Sequence, residues 1–135
     1  MRSRIFVSAL LLLGVFAAGA FATSGDGMGS QKRWAIVNFV DPVQVKDQIL
    51  MGPCLIVHDD AKMARGEPCT TIYRFDRERG PRQELISFMC EPRQRDIVSS
   101  TRLTTLPTVY VGISRLTEYQ FAGDTESHGV PAITH

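Results

Sequence analysis

One short segment of the sequence brings together side-chain types that bind metal ions. It spans 12 residues and contains an imidazole, carboxylates, a thioether and a thiol, those of His58, Asp59, Asp60, Met63, Glu67 and Cys69. Imidazole with a soft sulfur ligand suits copper, whereas imidazole with carboxylate suits zinc. A helical turn over residues 60–65 can fold Met63 back toward His58, and His128 can add a second imidazole. On this interpretation the segment is part of a copper or zinc site with His58, Met63 and His128 as ligands.

The same segment also has a purely structural interpretation. Asp59 and Asp60 can cap the helical turn, because their carboxylates accept hydrogen bonds from the first backbone N–H groups of a helix. Met63 then covers an edge of the core, His58 closes a strand, and Cys69 is half of a disulfide. Capping explains both aspartates without a metal ion, so this interpretation is the simpler of the two.

The three cysteines allow one disulfide and one free thiol. Cys69 and Cys90 stand at the bases of two β-favouring segments, 69–76 and 84–90, which a charged tip containing Gly-Pro connects. If the tip is centred between residues 79 and 80, the two cysteines lie directly opposite each other, with Cβ atoms about 4.5–5.5 Å apart. The hairpin therefore predicts a Cys69–Cys90 disulfide.

Two alternatives to this pairing stay open. Cys54 flanks the His58 turn on its other side and could pair with Cys69; otherwise Cys54 is a buried free thiol. A slip of the hairpin by one residue would place Cys69 and Cys90 on opposite faces and forbid their bridge.

Short strands are the elements that would position these side chains. β-Favouring segments recur between turn residues, at 34–40, 43–51, 54–58, 69–76, 84–90, 109–113 and 116–121. They predict an all-β fold, a small antiparallel sandwich or barrel of six to seven strands with one short helical turn near residues 60–65. We expect the core to bury Trp34, Ile36, Leu55, Val57, Tyr73, Phe75, Ile86, Phe88, Val109, Val111 and Phe121.

The N-terminal segment has the features of a secretory leader. Arg2 and Arg4 precede an apolar stretch, and Ala20-Phe21-Ala22 supplies a small-x-small cleavage pattern. The apolar stretch is shorter than the about 20 residues that span a bilayer, so the mature form has no predicted membrane span. We predict a signal peptide at 1–22, a flexible arm at 23–33, a single β domain at 34–124 and a tail at 125–135. The protein is then exported, periplasmic or extracellular, where disulfides persist.

Charge and motifs exclude several classes of function. Without the two leader arginines, 13 basic residues face 14 acidic ones, so a nucleic-acid partner is not expected. No C-x-x-C, H-E-x-x-H, P-loop or G-x-G-x-x-G motif occurs. Cys90 is followed by EPRQRD, which lacks the His and Met of a blue-copper site. No catalytic residue is therefore assigned.

The segment Val45–Val57 resembles a loose group of uncharacterised small secreted bacterial β-proteins. The resemblance lies in Lys46-Asp47, Ile49-Leu50, Gly52 and the apolar strand 55–57, and 58–69 looks like a subgroup marker. It implies a β fold and an exported location, but no activity.

The leading functional hypothesis is a secreted non-catalytic β-domain, a binding or envelope-associated module whose ligand and partner the sequence does not name, with no cofactor required. The alternative is a periplasmic copper or zinc protein that uses His58 and Met63. A weaker alternative is a small secreted hydrolase.

Overall fold

The computed structural model describes residues 31–133, and they form one β-sheet of eight strands with a single short helix. The helix, α1, spans Asp60–Ala64. The strands in chain order are β1 (Lys32–Val45), β2 (Gln48–Asp59), β3 (Thr70–Asp76), β4 (Gly80–Phe88), β5 (Glu91–Gln94), β6 (Arg102–Pro107), β7 (Ser114–Gln120) and β8 (Glu126–Gly129). The all-β class is confirmed. The predicted count of six to seven strands is wrong, and the sheet is not a closed barrel.

The sheet order is β4-β3-β2-β1-β7-β8-β5, and β6 also pairs with β7. Strand β7 pairs with β1 in parallel at Ser114 and Arg115, and with β8 in antiparallel orientation at Glu118–Gln120. The sheet is therefore mixed, and the predicted purely antiparallel arrangement is wrong. Because β7 bonds to three strands, it joins the N-terminal hairpins to the C-terminal strands.

The buried face of β1 is the one opposite to the prediction. Its inward residues are Ala35, Val37 and Phe39, whereas Trp34 and Ile36 are 63% and 50% exposed. The segment WAIVNFV is apolar on both faces, so side-chain alternation alone does not choose between them. Register settles the choice, because Ala35 and Val37 pair with Ile56 and Cys54, which are fully buried.

The same face reversal affects β2 and β3. Leu55, Val57, Tyr73 and Phe75 are only partly buried, and the inward positions are taken by Cys54, Ile56, His58 and Ile72. Ile86 on β4 pairs with Ile72 and packs against the core, on the predicted face. Of the predicted core, Phe88 and Phe121 are buried as expected.

A predicted strand at residues 109–113 is instead a tight loop between β6 and β7. Gly112 has a φ of 81°, and the Thr108 hydroxyl donates a hydrogen bond to the Ile113 carbonyl at 2.7 Å. Both features fold the chain back on itself, so that Val109 and Val111 are essentially fully exposed. Their predicted burial is wrong.

The C-terminal segment 125–135 is wrongly predicted as a tail over its described part. Residues 126–129 form β8, which lies between β5 and β7 and is largely buried. Strand β5 lies in the polar segment 91–102. It is held to β7 by Arg93 and Arg95, which donate to the buried Glu118 carboxylate at 2.9–3.1 Å.

The predicted signal peptide and most of the predicted N-terminal arm lie outside the described residues. Within residues 31–133, no helix is long and apolar enough to cross a membrane.

Candidate metal centre

Two histidines and two cysteines from four separate parts of the fold meet in the core. His58 lies near the end of β2, Cys69 directly before β3, Cys90 between β4 and β5, and His128 within β8. Each is at most 7% exposed. We call these four side chains, His58, Cys69, Cys90 and His128, the Cys₂His₂ cluster.

The ligand atoms of three members of the cluster lie within coordination reach of one another, and His128 lies beside Cys90. One nitrogen of His58 and the two Sγ atoms all lie within 4.8 Å of each other. The Cys69 and Cys90 Sγ atoms are 2.8 Å apart, and Cys90 Sγ is 3.7 Å from His128 Nδ1. The rings of His58 and His128 contact each other with centroids 4.0 Å apart.

Strand register explains how Cys69 and Cys90 meet. The β3–β4 hairpin pairs Thr70 with Phe88, one residue out of the predicted register. In this register Cys69 would face Met89, but β4 ends at Phe88 and the chain departs from the strand. Cys90 then turns inward, and its backbone N–H donates to Cys69 Sγ at 3.2 Å.

The cysteines are therefore adjacent as predicted, although not through the predicted register. Cys69 and Cys90 are free thiols in this structure and do not form the predicted disulfide. Cys54 is also free and fully buried, on β2 opposite Val37 and Arg74.

The turn after β2 combines capping with an electrostatic contact to the cluster. Asp59 caps α1, because its Oδ1 accepts hydrogen bonds from the backbone N–H groups of Ala61 and Lys62 at 3.0 and 3.4 Å. Asp60 does not share this role; its Oδ1 lies 3.2 Å from His58 Nδ1. The structural interpretation therefore holds for Asp59, whereas Asp60 faces the cluster.

The segment that was predicted to bind a metal also contains Met63 and Glu67. Met63 is partly buried and packs against the hydrophobic core. Glu67 is exposed and pairs with Arg65, with Oε2 and Nε 2.6 Å apart. Of the predicted ligands, the structure brings His58 and His128 together, and the thiols of Cys69 and Cys90 lie beside them.

Both imidazoles are buried with ring nitrogens that lack hydrogen bonds. Within residues 31–133, His58 Nδ1 and Nε2 and His128 Nε2 have no hydrogen-bond partner. Burial lowers the pKa of His58. Burial, together with the neighbouring His58 and the positive charge of Arg33, lowers the pKa of His128 to about 3. Both rings are therefore neutral near pH 7, the form that binds metals.

The Cys90 thiol is held in its neutral form when no cation is bound. Burial and the neighbouring Cys69 raise the pKa of Cys90 to about 12. A coordinated cation reverses this preference, because a thiol that binds a metal ion loses its proton.

Tyr119 forms one wall of the cluster. Its ring stacks on His128 with centroids 5.0 Å apart, and its hydroxyl is hydrogen-bonded to Thr70 Oγ1. Since Thr70 follows Cys69 directly, this contact ties β7 to the strand that carries one of the thiols. The wall fixes the orientation of the His128 ring.

No family model, curated protein or solved structure matches this chain in comparisons with known proteins. Any assignment of function therefore rests on the geometry of the site.

Proposed function

We propose that this protein is an exported, non-catalytic β-domain that binds one transition-metal ion through His58, Cys69, Cys90 and His128. The observation that carries the proposal is the burial of two imidazoles with unpartnered nitrogens against two thiols. Buried polar atoms are nearly always hydrogen-bonded, because leaving them unpaired is costly. A cation that binds His58 Nε2 and both thiolates removes this cost on His58, and His128 offers Nδ1, the nitrogen beside Cys90 Sγ, as the fourth ligand.

The donor set favours zinc. Two thiolates and two imidazoles form a common tetrahedral zinc site, with Zn–S bonds of about 2.3 Å and Zn–N bonds of about 2.0–2.1 Å. These lengths place a nitrogen and a sulfur of one tetrahedron about 3.6 Å apart. The distance of 3.7 Å between His128 Nδ1 and Cys90 Sγ matches this value.

Charge balance also favours a divalent ion. Two thiolates and two neutral imidazoles carry a charge of about −2, which a divalent cation neutralises. A neutral assembly suits a site this deeply buried, since an uncompensated charge is costly there. Copper(I) would leave one negative charge, so zinc is proposed first and copper is the alternative.

A carboxylate stands beside each imidazole, and the one beside His58 contacts the ring nitrogen that is free to donate when Nε2 binds a metal, as is usual for metal-binding histidines. Asp60 Oδ1 lies 3.2 Å from His58 Nδ1, and Glu126 Oε1 lies 3.8 Å from His128 Nδ1. On His58, the carboxylate can hold the proton on Nδ1, which leaves Nε2 as the ligand atom. Asp60 is therefore proposed to orient His58 and not to bind the ion.

A closed set of four protein ligands supports a structural role and not a catalytic one. Catalytic zinc sites keep one position for water or substrate, which a Cys₂His₂ set fills. A hydrolase would need a substrate site, and the open groove beside the β6–β7 loop gives this alternative little support. This groove, of about 620 Å³, is lined by Ser114 and Asp41 but by no histidine.

Metal analysis of the purified, reduced protein tests the proposal. We expect one zinc per chain and, after cobalt(II) substitution, the absorption of tetrahedral thiolate–cobalt. Cys90→Ser and His128→Gln should each lose this signal. Cys54→Ser and Met63→Leu are the matched controls and should keep it.

Two results would contradict the proposal. One is the absence of metal in reduced, folded wild-type protein supplied with zinc, cobalt or copper. The other is stoichiometric metal retained in Cys90→Ser. Separately, loss of bound copper in Met63→Leu would favour the alternative ligand set that contains Met63. The export proposal is tested separately, by an N-terminus at Thr23 in protein from the native host.

A further inference from the structure

We infer that the Cys₂His₂ cluster is redox-gated: an external disulfide oxidises Cys69 and Cys90 to a disulfide, and the metal ion is released. This inference rests on the proposed metal binding and adds its regulation. The cysteine pair then has two states at one site. In the reduced state it is a dithiolate that binds the metal ion, and in the oxidised state it is a disulfide that does not.

The geometry of the two sulfur atoms carries the inference. Two thiolates on one tetrahedral zinc ion are about 3.8 Å apart, given Zn–S bonds of about 2.3 Å. The sulfurs of a disulfide are about 2.05 Å apart. The distance of 2.8 Å between Cys69 Sγ and Cys90 Sγ lies between these two values. A displacement of about 1 Å in either direction therefore reaches one state or the other.

The backbone around both cysteines permits this displacement. Cys69 precedes β3 and Cys90 follows β4, so neither residue lies within a regular strand. Cys90 is in the two-residue break between β4 and β5. The histidines, by contrast, lie within the regular strands β2 and β8.

The exchange is balanced in atoms and electrons. The Cys90 thiolate attacks one sulfur of the external disulfide RSSR, which forms a Cys90–SR bond and expels one RS⁻. The Cys69 thiolate then attacks the Cys90 sulfur, forms the Cys69–Cys90 bond and expels the second RS⁻. Two electrons pass from the cysteine pair to RSSR, which is reduced to two thiolates that take protons from water.

Exposure decides which thiolate reacts first. Cys90 is 7% exposed and Cys69 is 1% exposed, so the external disulfide reaches Cys90 more readily. Cys69 is then already in contact with the sulfur it must attack. Cys54 is fully buried on β2 and takes no part.

Oxidation releases the metal because it removes half of its ligands and all of their negative charge. A divalent cation held by two neutral imidazoles in a buried site would have no compensating charge. We expect metal affinity to fall by more than about 100-fold, since loss of an outer hydrogen-bonding partner alone costs about 10- to 100-fold.

The experiment uses zinc-loaded wild-type protein and Cys54→Ser, which keeps the pair as the sole cysteines. Each is titrated with glutathione disulfide while a zinc-sensitive dye reports free zinc and a thiol reagent counts the remaining thiols. We expect one zinc released for every two thiols lost, equally in both proteins. Peptide mapping should show a Cys69–Cys90 link, and a phosphine reductant should restore zinc binding.

The outcomes separate the two proposals. If reduced protein binds no zinc or other metal before oxidant is added, the proposed function fails. If zinc is bound but stays bound after both thiols of Cys54→Ser are consumed, gating is overturned and metal binding stands. Resistance of the zinc-bound pair to excess glutathione disulfide, or a link that contains Cys54, also overturns gating.

Discussion

Removal of the metal ion should destabilise the protein measurably. The metal-free cluster buries imidazole nitrogens without partners on His58 and His128. A buried polar group left unpaired costs about 1–3 kcal/mol, so ligation of the unpartnered Nε2 of His58 restores about 1–3 kcal/mol. Mass action gives a similar figure, because free zinc at 100 times its Kd stabilises the folded state by about 2.7 kcal/mol. We expect a loss of about 3 kcal/mol in the free energy of unfolding.

Thermal unfolding with and without a chelator measures this loss. For a domain of this size, about 3 kcal/mol corresponds to a fall in Tm of roughly 10 °C or more. The reduced protein is melted with excess zinc and with a chelator, next to Cys54→Ser, which should show the same difference. An unchanged Tm in protein from which one zinc per chain was demonstrably removed would refute the reasoning.

Three further predictions concern the scaffold. Burial alone would raise the pKa of Glu118, but hydrogen bonds from Arg95 and Arg93 outweigh it and lower the pKa below 4.5. Stabilisation by Glu118 is therefore present above pH 4.5 and lost as pH falls toward the lowered pKa. Glu118→Gln should lower the free energy of unfolding by only about 1 kcal/mol near pH 7, since the arginines are partly exposed. Urea unfolding should show that this difference from the wild type shrinks in acid. Phe88→Ala should cost about 3–5 kcal/mol in the same assay; a loss below about 1 kcal/mol would mean that the ring is not buried. Val111→Ser should change stability by less than about 0.5 kcal/mol, and a larger loss would contradict the exposed loop.

The fold class was predictable because strand signals are local, whereas the buried face was not. In β1, apolar side chains occupy both faces, and only pairing with β2 determines that Val37 and not Ile36 faces the core. The loop at 109–113 shows that a local strand signal can also mislead, since Val-Tyr-Val favours a strand. The turn at Gly112 overrides that preference.

Half of the candidate site was visible in the sequence. His58 and His128 were predicted as ligands, but Cys90 was assigned to a disulfide with Cys69, and that assignment hid it as a donor. The spatial meeting of His128 with His58 depends on β8, a four-residue strand in a segment with little β propensity. Its pairing with β5 and β7 is long-range and leaves no local signal.

The position of β8 sets an order on the assembly of the cluster. When the chain is made from its N-terminus onward, Cys54, Cys69 and Cys90 are present well before His128. The β3–β4 hairpin can therefore form before the residues of β8 are present. Non-local pairings of this kind form slowly, because distant parts of the chain must meet first. During that interval all three thiols lack the closed core that later separates Cys54 from the other two. A disulfide that Cys54 formed with either partner during that interval would leave the cluster without one of its two thiols.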